Sequence, residues 1–194
     1  MYLIRHWEQD SGVDQDLTEK GCEQARLTAL RLQECGIERI YASPVKRTAH
    51  TAQIINQRLT VGLETRKMLH DIDMGDCETR SWEYVRTTYP EFMQAFNARQ
   101  RDVPYPNGES GKHVWRRSRC VLEEIAICGL ERVAVVTHGG IIRVWICGIF
   151  GIGQERRFFL GDPLDNCSIT FINLHDPAFN TFHLHRFNDS SHLF

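Results

Sequence analysis

The 194-residue chain has almost no excess charge: 23 Lys and Arg against 25 Asp and Glu leave −2 with His neutral. That excludes a general electrostatic grip on nucleic acid, and no long acidic tail is present. Any anion must be held by local groups. The seven cysteines (Cys22, Cys35, Cys77, Cys120, Cys128, Cys147, Cys167) contain no C-x-x-C pair, so the usual zinc and dithiol signatures are missing. Odd in number and several of them set in apolar stretches, they read as buried thiols of a reducing cytoplasm. The N-terminus lacks the charged and apolar regions of a signal peptide. The longest apolar region, 133 to 153, is interrupted by His138, Arg143 and paired glycines, which are costly in lipid. Internal repeats and low-complexity tracts are absent as well. The expectation is a soluble, cytoplasmic protein with neither membrane nor nucleic-acid partners. A chain of this length buries about 70% of its unfolded surface, enough for one self-sufficient domain over 1–194.

What is present starts at once. Tyr2-Leu3-Ile4 is an apolar, partly β-branched run that stops at Arg5 and His6, the pattern of a short buried strand ending in reactive side chains. In open α/β sheets ligands bind beyond the carboxyl ends of the strands, so Arg5 and His6 stand where chemistry would be. The competing reading is a strand-end His satisfied by a backbone carbonyl. A second strand repeats the logic: Val133-Ala-Val-Val136 leads through Thr137 to His138, and Gly139-Gly140 let the backbone approach a ligand before a helix from Ile141 to Phe150. A third contribution follows strand Ile37–Ala42, where Ser43 as N-cap and Pro44 as N1 start a helix whose first turn holds Arg47. An Arg there opposes the helix macrodipole, which an anion shared with the helix end would explain. Two strand-end histidines and an early-helix arginine thus converge on one sheet edge.

The remaining elements alternate in the α/β manner. Thr18 caps a helix running to about Cys35, with Gly36 closing it, and Thr60 to Glu64 reads as a strand. The loop from Met68 to Asp76 carries carboxylates at 71, 73 and 76, either an acidic turn or the source of a general acid whose pKa is raised by desolvation. A helix from Ser81 to about Ala98, broken or kinked at Pro90 and rich in aromatics, and a turn-rich linker before Ser110 form a helical insertion spanning about 76–115. Asn166 to Leu174 and Asn180 to Phe187 read as two final strands. His183-x-His185 puts two imidazoles on one strand face and His192 follows, either a three-His metal site or solvent-facing side chains.

The sequence resembles the histidine phosphatase superfamily, its phosphoglycerate mutase-like branch. The segments that carry the likeness are Leu3-Ile-Arg-His-Trp-Glu8, Leu17-Thr-Glu-Lys-Gly-Cys-Glu-Gln-Ala25, Ser43-Pro-Val-Lys-Arg-Thr-Ala49, Leu69-His-Asp-Ile-Asp-Met-Gly75, Asn107-Gly-Glu-Ser110, Val136-Thr-His-Gly-Gly140 and Asn166-Cys-Ser168. The resemblance implies a three-layer α/β/α sandwich with a mostly parallel, six-stranded mixed sheet and the helical insertion over its active-site edge. It implies a metal-independent phosphomonoesterase in which His6 is the nucleophile, Arg5, Arg47 and His138 surround the phosphoryl oxygens, and Asp71 is the acid. Trp7, Glu8, Gly139 and Asn166 would line the phosphate or substrate site, with no cofactor and no metal. The partner is a small phosphorylated metabolite. The region from Asp71 to Trp82 and from Pro106 to Ser110 looks most like α-ribazole phosphatases, with metal-independent phosphoserine phosphatases and phosphoglycerate mutase-like enzymes as alternatives. Trp7 replaces the small residue usual after the nucleophile, and Asp71 is shorter than the usual Glu. A Trp7 lying over the pocket would turn the fold into a non-catalytic phospho-ligand binding module. The oligomeric state, a homodimer included, is left open.

Overall fold

The computed structural model describes residues 1–7, 18–161, 163–176 and 181–194. Six strands form one sheet: β1 (Tyr2–Arg5), β2 (Arg39–Ala42), β3 (Gly62–Thr65), β4 (Val133–Thr137), β5 (Ile169–Asp176) and β6 (Thr181–Asp189), in the order β3-β2-β4-β1-β5-β6. The four strands from β3 to β1 run parallel, and β5 and β6 close the sheet antiparallel. Strand β4 is buried over its whole length, as a central parallel strand covered on both faces must be.

Side-chain alternation assigns the helices to the two faces. Ile4, Ile40, Ala42, Ala134 and Val136 point to one side, against Ala29 and Leu32 of α1 (Glu19–Gln33) and Ala52 and Ile55 of α2 (Lys46–Leu59). Leu3, Tyr41, Val133 and Val135 point to the other, against α5 (Gly111–Ile127) and α6 (Gly139–Ile149). The result is the expected three-layer α/β/α arrangement. Its consequence for a ligand is specific: β1 leads to α1 on one face while its parallel neighbour β4 leads to α6 on the other. The chain therefore diverges at the carboxyl ends of β1 and β4, and divergence of this kind opens a crevice.

Several boundaries differ from the sequence reading. Thr18 caps α1 as expected, accepting from the Gly21 amide at 2.9 Å, but the helix ends at Gln33. Helix α2 begins at Lys46 rather than at Pro44, because Val45 is extended and the Ser43 hydroxyl is taken by His138. The 81–98 stretch is two helices, α3 (Trp82–Thr88) and α4 (Pro90–Ala98), since a residue before proline is pushed out of the helical region and Tyr89 sits at φ −127°. Phe96, Phe92, Tyr105 and Phe158 pack there as a separate aromatic cluster. No helix among the described residues is long and apolar enough to cross a membrane.

Candidate active site

Strand register builds the site. Arg5 pairs with Thr137 across β1 and β4, so His6 and His138 are the next residues of two adjacent parallel strands. The His6 amide donates to the Thr137 carbonyl at 2.8 Å, and the Ser43 amide donates to Val136 at 3.1 Å. The three strand ends thus sit at one level, with the imidazole rings 5.1 Å apart edge to face. His6 is 8% exposed and His138 fully buried.

The hydrogen bonds assign the tautomers. His6 Nδ1 lies 2.8 Å from the Trp7 carbonyl, which can only accept, so Nδ1 carries the proton and Nε2 keeps its lone pair. Arg47 Nε donates toward that Nε2 at 3.3 Å. Arg47 Nη2 also donates to His138 Nδ1 at 3.1 Å, which leaves His138 Nε2 to donate to the Ser43 hydroxyl at 3.1 Å. Burial, then His138 and Arg47, press the His6 pKa down to about 3, and burial with the Arg47 charge holds His138 well below the ordinary range. Both imidazoles are neutral near pH 7.

Asp71 approaches from the loop after β3. One carboxyl oxygen lies 3.8 Å from His138 Nδ1, and the other accepts from the Ile72 amide at 2.9 Å. Desolvation raises its pKa, against the lowering effects of that hydrogen bond and of His6, Arg47 and Arg5. Gly140 explains how the carboxyl fits: a Cβ there would overlap Asp71 Oδ1. The paired glycines are the first residues of α6 rather than a loop before it, and at Gly140 the missing side chain makes room for Asp71. Gly139 faces Arg5 instead, where a Cβ would meet the guanidinium stem in ordinary contact at 3.6 Å.

The structure therefore brings together Arg5, His6, Arg47, Asp71 and His138, with Gly139 at their edge. Trp7 is a correction. It is fully buried and packs with Ala25, Ile54 and Cys167, its ring edge to face with His50 at 5.5 Å, so its indole belongs to the core beneath α1 and α2. A ring buried in this way among the described residues is part of the core, and the blocked-module reading loses its blocking group. Glu8 lies outside the described residues. Asn166 makes no hydrogen bond to the site among the described residues, and its Oδ1 is buried without a partner there. Its neighbour Cys167 does reach β1, donating from its amide to the Arg5 carbonyl at 3.1 Å.

Sequence reasoning missed the role of Ser43 as acceptor for His138 and of Gly140 as space for Asp71. It also missed Arg117 and Glu109, which hold the loop that carries Asp71 from α5 and its approach. The carboxyl-terminal histidines do not converge: His192 Nε2 meets the Thr28 hydroxyl at 3.0 Å, whereas His183 and His185 lie on β6 with rings 6.4 Å apart. Among the described residues no group of three or more His, Cys, Asp or Glu side chains is arranged to hold a metal ion.

The family model of the histidine phosphatase superfamily (branch 1) matches residues 1–190. Phosphoserine phosphatase 1 of Hydrogenobacter thermophilus is 29% identical over 185 residues, covering 91% of this chain and 87% of the relative. A mycobacterial glucosyl-3-phosphoglycerate phosphatase superposes with TM-score 0.86 at 23% identity, covering 97% of both chains. The α-ribazole phosphatase of Shigella flexneri superposes with TM-score 0.81 at 20% identity, over 97% of this chain and 96% of its own. With the family model spanning almost the whole chain, the protein belongs to the histidine phosphatase superfamily, branch 1, and is an enzyme of its phosphatase class.

Proposed function

We propose that the protein hydrolyses the phosphomonoester of a small metabolite through a phosphohistidine on His6, without a metal. The observation that carries this reading is the bond from His6 Nδ1 to the Trp7 carbonyl, which aims an unprotonated Nε2 at the ground between Arg47 and His138. The lone pair of Nε2 attacks phosphorus as the ester P–O bond breaks. Asp71, whose carboxyl pKa is raised by desolvation, serves as the acid that gives a proton to the departing alkoxide. Water then attacks the phosphohistidine, Asp71 takes a proton from that water, and inorganic phosphate leaves with His6 again neutral. Phosphoryl transfer needs positioning and charge neutralisation more than covalent help, and fixed guanidinium forks supply both. Arg5 and Arg47 provide that charge.

Kinship to a phosphoserine phosphatase and likeness of fold to phosphatases of a sugar phosphoglycerate and of α-ribazole leave the metabolite itself to experiment. Small phosphoesters of those three kinds are the first to screen. The test of the mechanism is hydrolysis of an aryl phosphate in EDTA by the parent and by His6→Ala. Turnover that survives EDTA, with an acid-labile phosphoenzyme absent from the variant, is expected. Loss of turnover on chelation, or its persistence in His6→Ala, would overturn the reading.

A further inference from the structure

The segment that delivers Asp71 has little regular structure, yet its main chain is held almost atom by atom. Arg117, from the second turn of α5, donates from Nη1 to the Met68 carbonyl at 2.7 Å, and from Nη2 to His70 at 3.0 Å and to Asp71 at 2.9 Å. The carbonyl between them, that of Leu69, accepts from the Thr137 hydroxyl at 2.9 Å. Arg117 is fixed in turn by Glu109 through Nε at 2.7 Å and Nη2 at 2.9 Å. Glu109 also takes the Asp73 amide at 3.0 Å and returns its own amide to the Asp73 carbonyl at 2.8 Å. Both side chains are largely buried, 15% and 19% exposed.

This guanidinium touches neither nucleophile nor carboxyl; it grips the backbone that bears the acid. The fit is demanding, because Asp71 must rest in the gap left by Gly140 while staying within 3.8 Å of His138. A planar fork can bridge carbonyls on successive residues while bonded to a carboxylate, whereas an ammonium point charge cannot reproduce that pattern. We infer that Arg117, locked by Glu109, is a positioning residue for acid catalysis, holding the Asp71 main chain so that its carboxyl meets the leaving oxygen. This rests on the reading of Asp71 as the acid.

The experiment compares kcat/KM, which reports transfer to His6, for two substrates in the parent, Arg117→Lys, Glu109→Gln and Asp71→Asn. Glycerol 2-phosphate leaves as an alkoxide that needs a proton; 2,4-dinitrophenyl phosphate leaves without one. A general acid contributes about 10²–10⁴, so Asp71→Asn should lose about that factor on the alkyl ester and far less on the aryl ester. Arg117→Lys, which keeps the charge and loses the fork, should lose at least about 30-fold on the alkyl ester and no more than about threefold on the aryl one, a fraction of that acid effect. Glu109→Gln should fall between it and the parent. The ratio of the two substrates is independent of how much enzyme is folded, so a merely structural role would lower both equally and overturn the inference. An Arg117→Lys enzyme indistinguishable from the parent would overturn it too. If Asp71→Asn itself fails to separate the substrates, the inference falls together with the reading beneath it; selectivity in Asp71→Asn but not in Arg117→Lys refutes the clamp alone.

Discussion

Trp7 gives the sharpest test of where the site ends and the core begins. If the indole stood over the pocket, Trp7→Gly would open it and raise turnover. The structure predicts the opposite, since the ring is fully buried against Ala25, Ile54 and Cys167 and edge-on to His50. Burying a tryptophan removes up to about 250 Å² from water, or about 6 kcal/mol at 25 cal/mol per Å². Denatured chains already hide part of that area, and measured large-to-small changes at Trp run at about 3–5 kcal/mol. Against a typical stability of about 5–15 kcal/mol, that is at least about a fifth of the total. The Trp7 carbonyl also anchors His6 Nδ1 at 2.8 Å, so a loosened residue 7 releases the His6 tautomer as well. Urea denaturation followed by far-UV circular dichroism, alongside phosphatase turnover, measures both effects. Trp7→Gly should lower the unfolding free energy by those roughly 3–5 kcal/mol, and with it the urea midpoint, and reduce kcat; Trp7→Phe, which keeps most of the volume, should cost less than half as much. An unchanged midpoint with increased turnover in Trp7→Gly would refute the placement of the indole.

The other predictions concern the acid's cradle and the neutral imidazoles. Gly140→Ala should cut turnover of alkyl phosphates by about 10²-fold or more, because the added Cβ displaces the Asp71 carboxyl, while the thermal midpoint stays level or rises, since Ala favours a helix by up to about 1 kcal/mol. A variant with parental turnover would show that Asp71 does not need that gap. For His6, a folded pKa of about 3 against 6.5 unfolded means that the unfolded chain binds the extra proton between those values, so its contribution to stability is complete above about pH 6.5 and is lost as pH falls toward 3. The slope is about 1.4 kcal/mol per pH unit for that one imidazole, and His6→Gln should remove it from urea midpoints measured from pH 6.5 to 4.5. An unaltered slope would mean that His6 is already protonated in the folded enzyme.

The sheet and the convergence at its edge were legible in the sequence for a simple physical reason. Buried parallel strands must be apolar throughout, so Arg5-His6 and His138 at their ends stand out, and equal register places them side by side. What was illegible depends on contacts between segments far apart in the chain. Ser43 looks like an N-cap, but its hydroxyl accepts a hydrogen bond from His138, ninety-five residues away, and the helix starts later. Trp7 follows His6, yet the groups that receive its ring come from α1, α2 and the loop before β5. Gly139-Gly140 suggests a ligand-facing loop until Asp71 is seen against Gly140. Arg117 is one of several arginines on a helix, and nothing local distinguishes the one whose fork reaches three carbonyls of another loop.

The charges around His6 also decide what its burial is for. A histidine with the reference pKa of about 6.5 is already about three-quarters neutral at pH 7, so lowering the pKa to about 3 adds almost nothing to the neutral fraction. It weakens the ring as a base, which by itself makes a poorer nucleophile. Desolvation and the Arg47 charge are thus not there to activate the imidazole. On the proposed mechanism, they are what a site that takes a dianion looks like before the dianion arrives. On that reading a phosphoryl group entering between Arg5, Arg47 and His138 would bring the opposite sign, compensate the guanidinium charges and restore basicity to His6 in the same step. The proposed nucleophile would then be strongest only when phosphorus is in front of it, and Arg47, which donates to Nε2 at 3.3 Å, is the group that the proposal requires to turn from the ring to the phosphate.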